Sequence, residues 1–333
     1  MTCFFLPTTY FLLLTASLDL NPPDLQKLVQ TGLVFSYVEA FDSASVYFNE
    51  VIELYPDNPA GYFFKAALIQ LEMMDGCHFD YEKEYFNLMK EVLTISQEIM
   101  KCEDNKWAEF YLGSSYAYRA VYEGLKRNYL ETFNFGVKGG RMLQSLVKKD
   151  SAFYDAYLGC GTFEYFWARA AKYLPILKLA GGNAKEAIRK LHIAAEKSIY
   201  SGPTAWNSLV FIYGEERKYD RAASIIDTLL ARYPGSKTFL WNKAELEFKK
   251  KNYSAAIELY NTLFAKYDAQ NDKNYSNLAQ CKLYVGKCFY ELKIRDSANK
   301  SLKEVIGYKA YADRYPKIKE YCREAYALLS KLL

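Results

Sequence analysis

Residues Gly202 to Gly235 read GPTAWNSLVFIYGEERKYDRAASIIDTLLARYPG, two apolar stripes of helical period on either side of a short charged turn. Pro203 suits the first turn of a helix, where its missing N–H costs nothing. Trp206, Leu209, Val210 and Tyr213 then recur on one face of that helix. Gly214 to Lys218 forms the polar turn. Ala222, Ile225, Ile226, Leu229 and Leu230 make the second stripe, which Pro234-Gly235 stops. Two helices, each apolar on one side, cannot bury both stripes against each other alone. A chain built from such hairpins has to stack them.

The unit recurs. Leu25 to Asn58 carries Leu28, Gly32, Phe35, Ala44, Phe48, Val51 and Pro56 at matching spacings. Pro59 to Asp104 repeats it with a longer turn at Asp75-Gly76, and Lys106 to Asp150 is longer still. Lys237 to Gln270 and Ala279 to Ala312 supply two more regular copies, and Pro316 to Leu333 reads as a single helix closing the last open face. The pattern resembles the tetratricopeptide repeat, whose Trp, Leu, Gly and Tyr of the first helix and Ala, Phe and Pro of the second correspond to Trp206, Leu209, Val210, Tyr213, Ala222, Ile226 and Pro234. Val210 and Ile226 depart from the pattern but stay apolar. The resemblance implies an all-α solenoid of about seven helical hairpins plus a C-terminal capping helix.

Ser151 to Gly202 is the most divergent section. The sequence predicts one long apolar helix from about Ala152 to Leu174, a break at Gly181-Gly182, and a second helix over Ala184 to Ser198. Its order of Tyr173-Leu174-Pro175, Leu177-Lys178-Leu179 and Gly181-Gly182 resembles the tetratricopeptide-repeat-39 group. Met1 to Ser17 has an apolar centre, Phe4 to Leu14, followed by the small residues Thr15, Ala16 and Ser17, which is the length of a signal-peptide core. No Lys or Arg precedes Lys27, so the basic leader of such a peptide is missing. The expectation is export to the periplasm or cell envelope with cleavage near Leu18, and a cytoplasmic protein otherwise. Cys3 precedes the apolar core, which argues against a lipoprotein anchor. The chain divides into a candidate signal peptide (1–17), a linker (18–24), N-terminal hairpins (25–150), the divergent hairpin (151–202), regular repeats (203–312) and a cap (313–333).

Little in the sequence points to catalysis. The two histidines, His78 and His192, have no third group spaced for a triad or a metal site. Gly136 to Arg141 (GVKGGR) lies between helix-period segments, so its glycines fit close helix packing and not a phosphate loop. The seven cysteines include no C-x-x-C pair. Cys281 and Cys288 share a helix face but stand about 10 Å apart along it, beyond disulfide reach, and read as buried thiols. The net charge of +4, from 43 basic and 39 acidic residues, is too balanced to call for nucleic acid, and no polar pair recurs from repeat to repeat as in helical RNA readers. The 31 tyrosines and 21 phenylalanines suit helical seams that need large fillers.

These readings lead to a non-enzymatic interaction scaffold without a cofactor, binding a peptide or partner protein in the concave groove. The first-helix stripes left over from packing are Thr204, Asn207 and Phe211; Thr238, Trp241, Glu245 and Phe248; and Gln280, Leu283, Lys287 and Tyr290. Of these, Asn207, Phe211, Trp241, Glu245, Phe248, Lys287 and Tyr290 are the candidate peptide-binding residues, with Trp241 as the central anchor on a solvated face. A basic clamp for a C-terminal carboxylate would need more than Asn207 and Lys287. Docking on a membrane through Leu174 to Leu179 is the alternative, and an enzyme or carrier with an unseen cofactor stands third.

Overall fold

The computed structural model describes residues 18–171 and 183–332. Among them are fifteen α-helices and no strand. In order they are α1 (Pro23–Tyr37), α2 (Phe41–Leu54), α3 (Pro59–Gly76), α4 (Glu82–Cys102), α5 (Lys106–Leu125), α6 (Tyr129–Lys149), α7 (Ala156–Ala170) and α8 (Ala184–Lys197). Then follow α9 (Gly202–Glu215), α10 (Tyr219–Arg232), α11 (Lys237–Lys249), α12 (Tyr253–Asp268), α13 (Tyr275–Glu291), α14 (Arg295–Gly307) and α15 (Lys317–Leu332), with a 3-10 turn at Tyr308–Tyr311. Odd and even helices pair into seven hairpins, and α15 packs on both α13 and α14 as a cap.

Five of the described hairpin turns share one mechanism. Glu39, Cys77, Arg127, Arg217, Lys251 and Lys293 each sit at positive φ, between 52° and 63°, where an odd helix hands over to the next. After all of these but Cys77 the amide one residue later reaches back to the helix, as in Ala40 to the Phe35 carbonyl and Lys218 to the Tyr213 carbonyl, the closure typical of a left-handed helix end. At the other end, Asn58, Asn105, Ser236 and Asn274 accept from the first amides of α3, α5, α11 and α13. Small residues let the paired helices meet: Ala44, Ala222, Ala256 and Ala298 are wholly buried.

The array coils back on itself. The end of α1 rests on the beginnings of α9 and α11. Tyr37 lies 3.2 Å from the Thr204 hydroxyl and its ring 5.1 Å from that of Tyr233, and Glu39 accepts from the amides of Lys237 (2.8 Å) and Thr238 (3.0 Å). At the end of α3, the Asp75 carboxylate takes the Lys237 ammonium (2.8 Å) and the Tyr267 hydroxyl (2.7 Å), while its carbonyl accepts from Asn274 and Asn277. Arg127, after α5, pairs with Glu320 of α15 at 2.5 Å.

One expectation changes. The helix predicted from Ala152 begins instead at Ala156, because residues 150–155 form turns that aim Asp155 at the start of α9. Its buried carboxylate accepts from the amides of Ile199, Tyr200 and Ser201, which hold Tyr200 against Phe64 and Trp107 at 5.1 and 5.7 Å. Tyr200 of the chain itself thus packs against the first helices α3 and α5 of the first coil. The segment Leu174 to Leu179 and the candidate signal peptide lie outside the described residues.

Candidate functional site

Among the described residues, one exposed part of the inner surface is a ridge formed by the C-terminal halves of α7, α9 and α11. Phe166 and Phe211, one turn before the ends of their helices, are 49% and 50% exposed, with ring centroids 6.3 Å apart. Beside them runs a ladder of charges: Arg169 to Glu215 (3.0 Å), Lys249 to Glu215 (3.3 Å) and Lys249 to Glu245 (2.9 Å). The hydrogen bond from Arg169 holds the Glu215 carboxyl below its ordinary value. Such a strip offers two ring faces for apolar burial and a row of paired charges that a ligand could enter by exchange.

The candidate residues divide along this geometry. Phe211 lies on the ridge, and Glu245 stays exposed at its edge. Asn207 accepts from Asn242 of α11 at 2.5 Å, so it ties neighbouring first helices together. Phe248 packs edge-on against Tyr253 and Tyr284, at 5.6 and 5.3 Å. Lys287 pairs with Glu324 of the cap at 2.5 Å and lies over the Tyr284 ring, and Tyr290 is partly buried. Leu283 is buried and Gln280 accepts from the Tyr321 hydroxyl, because α15 covers this stripe as the first helix of a next unit would.

Trp241 is a correction. It does not stand on a solvated face but packs into the α11–α12 seam, 5.5 Å from the Tyr260 ring. Its indole N–H donates to the Tyr267 hydroxyl (3.0 Å), which in turn donates to Asp75. The upper half of the α11 stripe belongs to the contact between coils, which one repeat taken alone cannot reveal. Phe166, Arg169, Glu215 and Lys249 are the ridge residues that sequence reasoning missed; Glu215 and Lys249 read as residues of charged turns. Phe166 and Arg169 fall in the divergent section, where the stripe pattern was not extended, although Phe166 occupies in α7 a place like that of Phe211 in α9.

The remaining sequence features take structural places. His192 meets the Tyr213 hydroxyl at 2.8 Å and the edge of Trp206, and burial pushes its pKa below 6.5. His78 lies 3.5 Å from Asp80. Gly139 fits where an added Cβ would come within 2.6 Å of the Gly113 carbonyl, and Gly140 lies under Phe163, so this glycine pair serves the packing of α6. Cys160, Cys281 and Cys288 are fully buried free thiols. Among the described residues, no cluster of His, Cys, Asp and Glu could hold a metal ion, and no helix is long and apolar enough to cross a membrane.

A family model described as tetratricopeptide repeat matches residues 212–270, from the end of α9 to the end of α12. None of the curated proteins matches the sequence. Among solved structures, the APC/C hetero-tetramer Cut9-Hcn1 is similar at 14% identity and a TM-score of 0.53, covering 88% of this chain and 52% of that one. This chain thus spans about half the length of that match. The C-terminal part of a TPR repeat-containing protein from Cytophaga hutchinsonii has 15% identity and a TM-score of 0.44, with 85% and 95% covered. PilF of Pseudomonas aeruginosa has 14% identity and a TM-score of 0.44, with 79% and 98% covered. Stacked hairpins, a capping helix and a repeat model matched in the regular section lead to one statement: residues 212–270 match the tetratricopeptide repeat, and the chain has the fold of a tetratricopeptide-repeat solenoid.

Proposed function

We propose that this protein is a non-catalytic interaction scaffold that holds a segment of a partner protein along the α7–α9–α11 ridge. The fold supports a scaffold role, since stacked helical hairpins present extended surfaces and bind through them. The observation that carries the choice of surface is the pair Phe166 and Phe211, two half-exposed rings side by side on successive first helices. Large aromatics left in water next to one another are the usual centre of a binding patch, and the charges around them fix register. The ligand this ridge suits is an extended or helical peptide with an apolar anchor and charges of both signs.

A peptide library displayed on phage and selected against the wild-type protein tests the reading. Phe211→Ala and Phe166→Ala should each weaken the selected peptides by about thirtyfold, the loss of about 2 kcal/mol typical of an aromatic anchor. Both side chains are half exposed, so melting temperature and helical signal should stay near the wild-type values. Selected peptides that bind both variants as tightly as the wild type would remove the ridge from consideration.

A further inference from the structure

The charges of α15 are sorted by face. Its two glutamates are engaged: Glu320 pairs with Arg127 and Glu324 with Lys287, each at 2.5 Å. Ile318, Cys322 and Ala325 face the core. Lys319, Arg323 and Tyr326 follow at spacings of four and three, so they form one stripe on the side turned to the 3-10 turn. Between that turn and α15 lies a hollow of about 500 Å³. Ala312, Cys322 and the half-exposed ring of Tyr326 supply its apolar lining, and Lys309, Lys319 and Arg323 its charged lining.

One carboxylate, Asp313, opposes these three cations. It is fully exposed and reaches Lys319 at 3.5 Å. Lys309 and Arg323 have no carboxylate partner among the described residues. An apolar hollow with unneutralised cations around it is complementary to an apolar side chain flanked by carboxylates. From this geometry we infer that the hollow is a docking site for an acidic peptide segment with an aromatic or aliphatic residue among its glutamates or aspartates. A nucleic acid would need a continuous track of cations for its phosphates. The hollow instead has a few cations around a space sized for side chains. The site is separate from the ridge and does not depend on it.

The test uses a fluorescently labelled peptide, Glu-Glu-Phe-Glu-Glu-Leu-Glu-Glu, and its counterpart with every Glu replaced by Gln, titrated by anisotropy against the full chain. The acidic peptide should bind, and the neutral one should bind at least about tenfold more weakly. Arg323→Glu and Tyr326→Ala should each cost about tenfold or more, while Lys185→Glu, at the start of α8, should change nothing. Arg323 and Tyr326 are exposed, so an unchanged melting curve accompanies the expected loss. Equal binding of the two peptides, absence of binding, or an Arg323→Glu variant that binds normally would overturn the inference. Capture of phosphatidylserine vesicles with no binding of the acidic peptide would overturn it too, and assign the cations to a lipid surface.

Discussion

Glu39→Gln is the sharpest probe of whether the coils are joined in solution. Glu39 sits at positive φ after α1, and its carboxylate reaches across to α11, accepting from the amides of Lys237 and Thr238 and from the Ser236 hydroxyl at 3.3 Å. It thus caps a helix about two hundred residues away, doing for α11 what an N-cap side chain does locally. Gln keeps the backbone strain unchanged and one carbonyl oxygen in place, but it turns the second acceptor into a donor facing a buried amide. Losing one such bond and leaving its N–H unsatisfied costs about 1–3 kcal/mol, so about 2 kcal/mol is expected. Unfolding of a repeat array is not all-or-none, so a local readout serves better than a melting temperature. Hydrogen exchange at Lys237 and Thr238 should accelerate by about thirtyfold in the variant. Burial raises the Glu39 carboxyl above its ordinary 4.5. A carboxyl raised by folding gains stability as the pH falls through the folded value. The gap between wild type and variant should therefore widen on acidification, and level off below 4.5. Unchanged exchange at both amides would mean that α1 and α11 do not meet.

Two further predictions concern packing. Gly139→Ala would place a methyl against the Gly113 carbonyl and the Ala117 amide nitrogen, at 2.6 and 2.7 Å, and backbone cannot step aside cheaply; a loss of about 1–3 kcal/mol should appear as a lower urea midpoint, and an unchanged midpoint would refute the packing account of that glycine. Removing residues 316–333 should uncover Leu283, Leu302 and Val305, and hydrogen exchange should then rise in α13 and α14 before it rises elsewhere; equal protection with and without the cap would contradict its role.

The helices were legible because each carries its own stripe. Trp206, Leu209 and Tyr213 against Ala222, Ile226 and Leu229 define a hairpin from within thirty or so residues, and the packing needs nothing further to be inferred. The contact between coils was not legible. It joins Glu39 to Lys237 and Asp75 to Tyr267, residues that read locally as turn and surface positions. Which repeats meet depends on small rotations between successive hairpins, summed over a whole coil, and no spacing in the sequence encodes that sum. Trp241 was misplaced for this reason: its stripe is right, but the half of the stripe it occupies is covered by Asp75 and Tyr267.

The same closure decides which first-helix surface is exposed. An open array would offer every first helix along its groove, whereas here Tyr200 packs on α3 and α5 in the first coil and the beginnings of α9, α11 and α13 lie under the ends of α1 and α3. Large rings stay exposed where no second coil passes over them, as Phe166 and Phe211 do on the C-terminal halves of α7 and α9. Any larger use of the groove would first have to separate Glu39 from the α11 amides and Asp75 from Lys237, a buried ion pair whose opening strands two charges. That cost favours ligands that fit the ridge as it stands over ligands that must uncoil the array, so a partner should bind without loosening the exchange of Lys237 and Thr238.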